Sequence, residues 1–380
     1  MQRPISCLIA NAVPVNGGDA ALLFALYEGL LERGVAVEVA SYHFQTTQSL
    51  YPELPLTPEG VQGWIYRKLP PLRFLMERFT PRMRPAYRNA DIVLGCPGGY
   101  FNSYYGIRGH VLKLRTAARM GKKVGVYSQS FGPLEGSDLA LFKAQKHHLG
   151  LLLARDAHSE QSLAEWQVDP QQVLRTNDAA FLLKPLPPLP ANGTVAISVR
   201  RWSHDARSAD QFKQLILSLA REVHEAGRKV HFLSTCQGVP GYVDDSALAA
   251  EFAEELVQEG IAATVDREFH RMQDLREQLR SFDYVIGTRL HFCILALMSG
   301  TPALNISYER KGKECYDYLG MLEFSIDYNA PVEIGTAAHQ ALVDQLDGVR
   351  QRVMSAVDRQ HRQAHTYLDQ ALALLTGSPK

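Results

Sequence analysis

Cationic side chains and one histidine gather at the ends of two neighbouring predicted strands, between residues 282 and 313. Residues 282–286 form a short apolar run suited to a buried parallel strand. Gly287 ends it, residues 290–298 carry apolar side chains at helical spacing, and 303–307 reads as the next strand. Arg289 and His291 therefore leave the carboxyl end of one strand, where open α/β sheets bind their ligands. Tyr308, Glu309, Arg310, Lys311 and Lys313 leave the end of the next. Two cationic clusters at adjacent strand ends make a pocket for an anion. A guanidinium and an ammonium suit a phosphate or carboxylate, and a histidine near neutral pH gives or takes a proton. Earlier in the chain, Asp19 stands at the mouth of a predicted helix and Arg155 at a third strand end. The set fits transfer from a small anionic donor, or from a nucleotide-sugar, to a hydroxyl activated by Asp19. It does not choose the donor. Each residue also has a plain structural reading: Asp19 as an N-cap, Arg155 paired with Asp156 or Glu160, His291 as a satisfied core histidine.

The elements that must position these residues alternate strand and helix twice. In the first half, strands are expected over 5–12, 35–40, 91–96, 122–127 and 151–154, with a helix over 20–32. The first turn, Asn16-Gly17-Gly18-Asp19, resembles a Rossmann start, but the GxGxxG spacing is absent, which gives dinucleotide binding little support. Gly98 and Gly99 follow the third strand and let backbone approach a ligand closely; Gln129 and Asp178 follow later ones. Four polar strand ends in one half imply a shared cleft rim. The proline-rich stretch 185–193 reads as the linker, after which strands over 195–199, 229–234 and 262–265 and helices over 209–226, 244–260 and 272–280 restart the pattern. The expected division is an N-terminal domain over 1–187 with an insertion at 51–88, a C-terminal domain over 194–335, and helices over 336–380 crossing back to the first. Two α/β halves place the active site in a cleft between domains.

Composition removes several function classes. Forty basic residues balance forty acidic ones, so a general nucleic-acid binder is not expected. Five cysteines, widely spaced, form neither a CxxC pair nor a zinc spacing, which reads as a reduced cytoplasmic protein without a metal. No signal-peptide core and no run of about 20 apolar residues is seen. Between 67 and 88, seven basic residues and one acidic one are interleaved with leucine, methionine and phenylalanine. That pattern lies against anionic lipid, giving a peripheral contact with the inner membrane at its cytoplasmic face, or else forms a solvated lid on the core. There is no GxSxG elbow, P-loop or HExxH.

In order along the chain, Asn16-Gly17-Gly18-Asp19, Gly98-Gly99, Gln129-Ser130-Phe131-Gly132-Pro133, Ala154-Arg155-Asp156 with Ser159, Asp178 with Phe181, Arg289-Leu290-His291, Gly300-Thr301-Pro302, and Tyr308 with Lys311 resemble the polysaccharide pyruvyl transferase family. The resemblance spans about residues 10–320. It implies two Rossmann-like domains of the glycosyltransferase-B kind, phosphoenolpyruvate (PEP) as donor substrate with no cofactor, and a cyclic pyruvate ketal on a sugar of a cell-surface or secreted polysaccharide, its acceptor free or lipid-linked. Carried over, Arg155, Arg289 and Lys311 bind PEP, His291 donates a proton, and Asp19 is the base for the acceptor. Asn16, Gly98, Gly99 and Gln129 are read as acceptor-binding or loop residues. The rival reading is a glycosyltransferase-B enzyme using a nucleotide-sugar, for which Glu309 is the candidate ribose acid. A catalytically silent relative that binds a sugar phosphate or scaffolds a biosynthetic complex is the third.

Overall fold

Near-continuous apolar runs separated by polar turns need cover on both faces, and parallel sheets flanked by helices supply it. A computed structural model describes residues 3–59, 79–202 and 207–377 of the chain. It resolves into two compact units, one of Met1–Val15, Leu22–Leu183 and Arg362–Lys380, the other of Asn16–Ala21 and Lys184–His361.

The first unit holds eight described strands: β1 (Ser6–Ala12), β2 (Ala36–Ser41), β3 (Leu56–Pro58), β4 (Ile92–Gly95), β5 (Gly98–Phe101), β6 (Lys123–Phe131), β7 (Leu151–Ala154) and β8 (Val173–Arg175). Their order is β3-β2-β1-β4-β6-β7-β8, all parallel. β6 is long enough to serve two partners on one side: β4 pairs with Lys123–Val126 and β5 with Gln129 and Phe131. The core gathers Leu8, Val93, Val126 and Leu152 from the strands with Phe101, Phe131, Phe142 and Trp166.

The second unit holds β9 (Thr194–Ser198), β10 (Lys229–Phe232), β11 (Ala263–Val265), β12 (Val285–Gly287), β13 (Ala303–Ser307) and β14 (Ser325–Asp327). The parallel order β11-β10-β9-β12-β13-β14 reverses direction between β9 and β12. Open α/β sheets bind ligands at such a switch point, in the crevice past the strands' carboxyl ends. Helix Leu290–Met298 is buried at eight of its nine residues, as its apolar composition at every position but His291 requires.

Three expectations change. Residues 16–21, drawn into the first half of the sequence, pack with the second unit: the Gly17 amide donates to the Thr235 carbonyl at 2.6 Å. The insertion at 51–88 is not wholly irregular, because β3 pairs with β2 and Pro85–Asn89 is helical. Most of its cationic stretch, residues 67–78, lies outside the described residues. Several helices escaped the sequence reading, among them Phe44–Leu50, Arg108–Arg119, Gly136–Gln145 and Arg310–Leu319; in Arg108–Arg119 and Arg310–Leu319 charged residues interrupt the apolar stripe. Among the described residues no helix is long and apolar enough to cross a membrane.

Candidate functional site

Asn16, the residue just before helix Gly17–Leu31, caps it. Its Oδ1 accepts from the Asp19 amide at 2.9 Å while its Nδ2 donates to Asp19 Oδ2 at 2.7 Å. This reciprocal pairing gives the cap to Asn16 and leaves Asp19 three residues in, its carboxylate in the first turn, where the helix dipole favours negative charge. Asn16 Nδ2 also donates to the Tyr242 hydroxyl at 3.4 Å. Gly17 and Gly18 stand in tight places. A β-carbon added at Gly18 would come within 3.0 Å of His291 Cβ and Nδ1, and one at Gly17 within 3.3 Å of Leu275. His291 thus sits directly against the first loop, and the second unit alone brings Asn16, Asp19 and His291 together. Gly18→Ala is expected to displace His291 and lower turnover by up to about a hundredfold with little change in Tm. An unchanged kcat would show that the contact is only packing.

Arg289 precedes helix Leu290–Met298 and points at Asp245. Its Nε and Nη2 donate to the two carboxylate oxygens at 2.7 and 2.8 Å. The Ser234 hydroxyl donates to the same carboxylate at 2.6 Å. Burial works against the Arg289 charge, but Asp245 outweighs it and raises the guanidinium pKa. The buried Cys236 thiol between these groups is pushed up to about 11 by desolvation, against the pull of Arg289; the charges of Asp245, Asp19 and Arg200 also reach it. The Tyr242 phenol is pushed up to about 12 by burial and by Asp19. Both groups are neutral at physiological pH and serve as hydrogen-bonding walls.

Lys311, in the first turn of helix Arg310–Leu319, pairs with Glu309 at 2.6 Å. That contact uses the acid that a ribose would need in the nucleotide-sugar reading. On the other side of the switch point, Arg200 follows β9 by two residues. Its guanidinium donates to the Tyr308 hydroxyl and lies 4.8 Å from the Tyr308 ring centre and 5.4 Å from that of Trp202. The two rings stack at 4.4 Å.

Arg155 belongs to the first unit and is 3% exposed. Its Nε donates to Ser130 Oγ at 2.8 Å and its Nη1 to Asp178 Oδ2 at 2.9 Å. The partner is therefore chiefly Asp178; Asp156 lies 4.0 Å away and Glu160 pairs with Arg175. Gln129 is fully buried and its Nε2 bonds the neighbouring Ser130 carbonyl. Gly98 and Gly99 open β5, and the Gly99 carbonyl accepts from Asn102 at 2.7 Å.

Sequence reasoning missed Asp245, Tyr242, Arg200 and the Trp202–Tyr308 stack as parts of one site. Asp245 reads only as a helix start, and nothing local to the others marks a partner 100 residues away. All five cysteines are buried and unbridged, and among the described residues no group of three His, Cys, Asp or Glu side chains could hold a metal.

Comparison with solved structures shows the fold. A glycosyltransferase from Rickettsia africae ESF-5 superposes with a TM-score of 0.66 at 9% identity, covering 100% of each chain. UDP-GlcNAc 2-epimerase from Neisseria meningitidis bound to UDP-GlcNAc gives 0.58 at 9% identity, covering 98% of this chain and 100% of that one. The expected pair of parallel-sheet α/β domains of the glycosyltransferase-B kind is thus what the chain adopts. In sequence, the chain is 24% identical over 405 residues to the amylovoran biosynthesis protein AmsJ of Erwinia amylovora, covering 93% of this chain and 95% of that protein. The profile of one family, described as polysaccharide pyruvyl transferase, matches residues 16–310, from the capping asparagine through the strand ends that carry Arg289, His291 and Tyr308. More than half of the chain lies within that match, and the protein belongs to the polysaccharide pyruvyl transferase family.

Proposed function

We propose that the chain transfers the pyruvyl group of PEP to two hydroxyls of a sugar in a polysaccharide or its lipid-linked precursor, forming a cyclic ketal and releasing phosphate. The observation that carries the reading is His291 set against Gly18 beside the Asn16–Asp19 cap, at the end of the strand that flanks the switch point. A proton donor and a carboxylate within one unit suit an addition in which one group protonates carbon and the other takes a hydroxyl proton.

In this mechanism His291 delivers a proton to the PEP methylene, which becomes a methyl group, and positive charge develops at C2. A sugar hydroxyl adds to C2 and its proton passes to Asp19. The C2–phosphate bond then breaks, and the neighbouring hydroxyl adds to the same carbon to close the ring. Of the two hydroxyl protons lost, one is accounted for by the new methyl group and the other by the released phosphate. Cationic groups stabilise the donor's carboxylate and phosphate. Arg289 and Lys311 enter this role already paired with Asp245 and Glu309, so they offer a held fork and a shared charge. Arg155 keeps its donor role on the resemblance, with Asp178 on its guanidinium.

Thermal unfolding with PEP, against UDP-, GDP- and CMP-sugars in parallel, tests the donor. A ligand at about 100 times its dissociation constant adds about 2.7 kcal/mol, a readable rise in Tm. Stabilisation by PEP together with acceptor-dependent phosphate release is the expected result. Stabilisation by a nucleotide-sugar and none by PEP would replace this reading with the glycosyltransferase one.

A further inference from the structure

We infer that Arg200 is the residue that receives the anionic oxygens of the donor, its carboxylate or its phosphate, with Tyr308 and Trp202 as the side chains that hold it in place; the inference rests on the PEP reading above. Four observations in the second unit carry it.

The first is position. β9 and β12 are the strands between which the order reverses, and Ser198 lies opposite Gly287 in their pairing. Arg200 follows the end of β9 as Arg289 follows the end of β12, so both flank the crevice where this architecture binds ligands.

The second is charge. At this edge Arg289 has Asp245, Lys311 has Glu309, Arg201 has Glu251 and Arg207 has Asp327. Among the described residues no carboxylate pairs with Arg200. Its side-chain partners are a phenol hydroxyl and two aromatic faces, all neutral. A half-buried guanidinium whose partners among the described residues are all neutral gains from a bound anion.

The third is preorganisation. The Tyr328 hydroxyl donates to the Arg200 carbonyl at 3.2 Å, and the Trp202 amide donates to that hydroxyl at 3.3 Å. Ring faces above a guanidinium orient its plane while leaving its remaining N–H groups for a bidentate acceptor. The fourth is proximity: the Arg200 charge still reaches the Cys236 thiol, more weakly than those of Arg289, Asp245 and Asp19.

The test is isothermal titration of the full-length protein and of Arg200→Gln and Arg200→Lys with PEP, and then with inorganic phosphate and with pyruvate as separate probes. Losing charge-assisted bonds should weaken PEP binding about 10- to 100-fold in Arg200→Gln. Arg200→Lys should recover part of it, because the charge returns without the fork. Tyr308→Phe keeps the ring and removes the hydroxyl, and should weaken PEP less than Arg200→Gln. Loss of phosphate binding with pyruvate binding kept assigns Arg200 to the phosphate end, and the converse assigns it to the carboxylate. A wild-type protein that binds PEP alongside an Arg200→Gln variant that binds it within twofold overturns the inference alone. A wild type that does not bind PEP overturns the donor reading and the inference with it. An unchanged Tm for each variant excludes misfolding as the cause of a loss.

Discussion

His291→Ala is expected to lower the rate of acceptor-dependent phosphate release by about 10²- to 10⁴-fold, the usual worth of a positioned general acid, while PEP affinity changes severalfold at most. The reason lies in how the side chain is held. His291 is the second residue of a helix whose other eight positions are buried, and it alone of the nine is only half-buried. It packs on Gly18 so closely that a β-carbon there would have to push the ring aside, and that loop is fixed in turn by the Asn16–Asp19 cap. A histidine filling space would tolerate leucine or glutamine. One that protonates a methylene would not, and its loss would fall on kcat with KM for PEP nearly kept. Running the reaction in deuterated water adds a second readout: deuterium should enter the methyl group of the product in step with turnover. An alanine variant with unchanged kcat would remove His291 from the mechanism, leaving Asp19 and the cationic groups to account for the rate.

The elements that carry Arg289, His291 and Tyr308 were legible in the sequence where local pattern alone decided structure. The helix over 290–298 and the strand over 303–307 were read with the bounds they adopt, because strongly apolar segments punctuated by Gly287, Gly300 and Pro302 admit few alternatives. The strand expected over 282–286 is shorter, Val285–Gly287, since register with β9 and β13 sets its length. β3, β8 and β14, at three residues each, are too short for alternation to show. Electrostatic partners were the larger loss. Arg289 finds Asp245 44 residues upstream, and Arg200 finds Tyr308 108 residues downstream. Nothing in the local spacing marks either pair, because chain topology brings them together. The consequence for function is specific: counting cations at strand ends names Arg289 and Lys311 but does not show that their charges are already matched.

Lys113→Met is expected to destabilise the first unit by about 3–5 kcal/mol, the cost of breaking a buried ion pair from one side. Lys113 and Glu59 are 1% and 0% exposed, with Nζ 2.6 Å from Oε1. The carboxylate has two further donors: the Tyr87 hydroxyl donates to Oε1 at 2.7 Å and the Asn11 backbone amide to Oε2 at 2.9 Å. Lys113 also donates to the Tyr42 hydroxyl and sits 4.2 Å from that ring's centre. Burial opposes the ammonium charge, yet Glu59 and Tyr42 prevail and raise its pKa. The same environment pushes the buried His110 beside it down to about 3, by desolvation first and by Lys113 second, so that ring stays neutral at physiological pH. With Lys113 gone, Glu59 keeps two neutral donors and no cation, in a place water does not reach. Its carboxylate must then be neutralised or the unit must open. At about 2–4 °C per kcal/mol for a unit of this size, Tm should fall by about 10 °C. Glu59→Gln added to Lys113→Met should restore most of the loss, because an uncharged amide beside an apolar side chain removes both desolvation costs together. Such recovery would identify the pair as a device that fixes the end of β3 against helix Arg108–Arg119, since pairing rather than charge would be what the fold requires. A single variant that loses less than about 1 kcal/mol in urea unfolding would instead mean that the cluster opens to water readily enough to solvate Glu59.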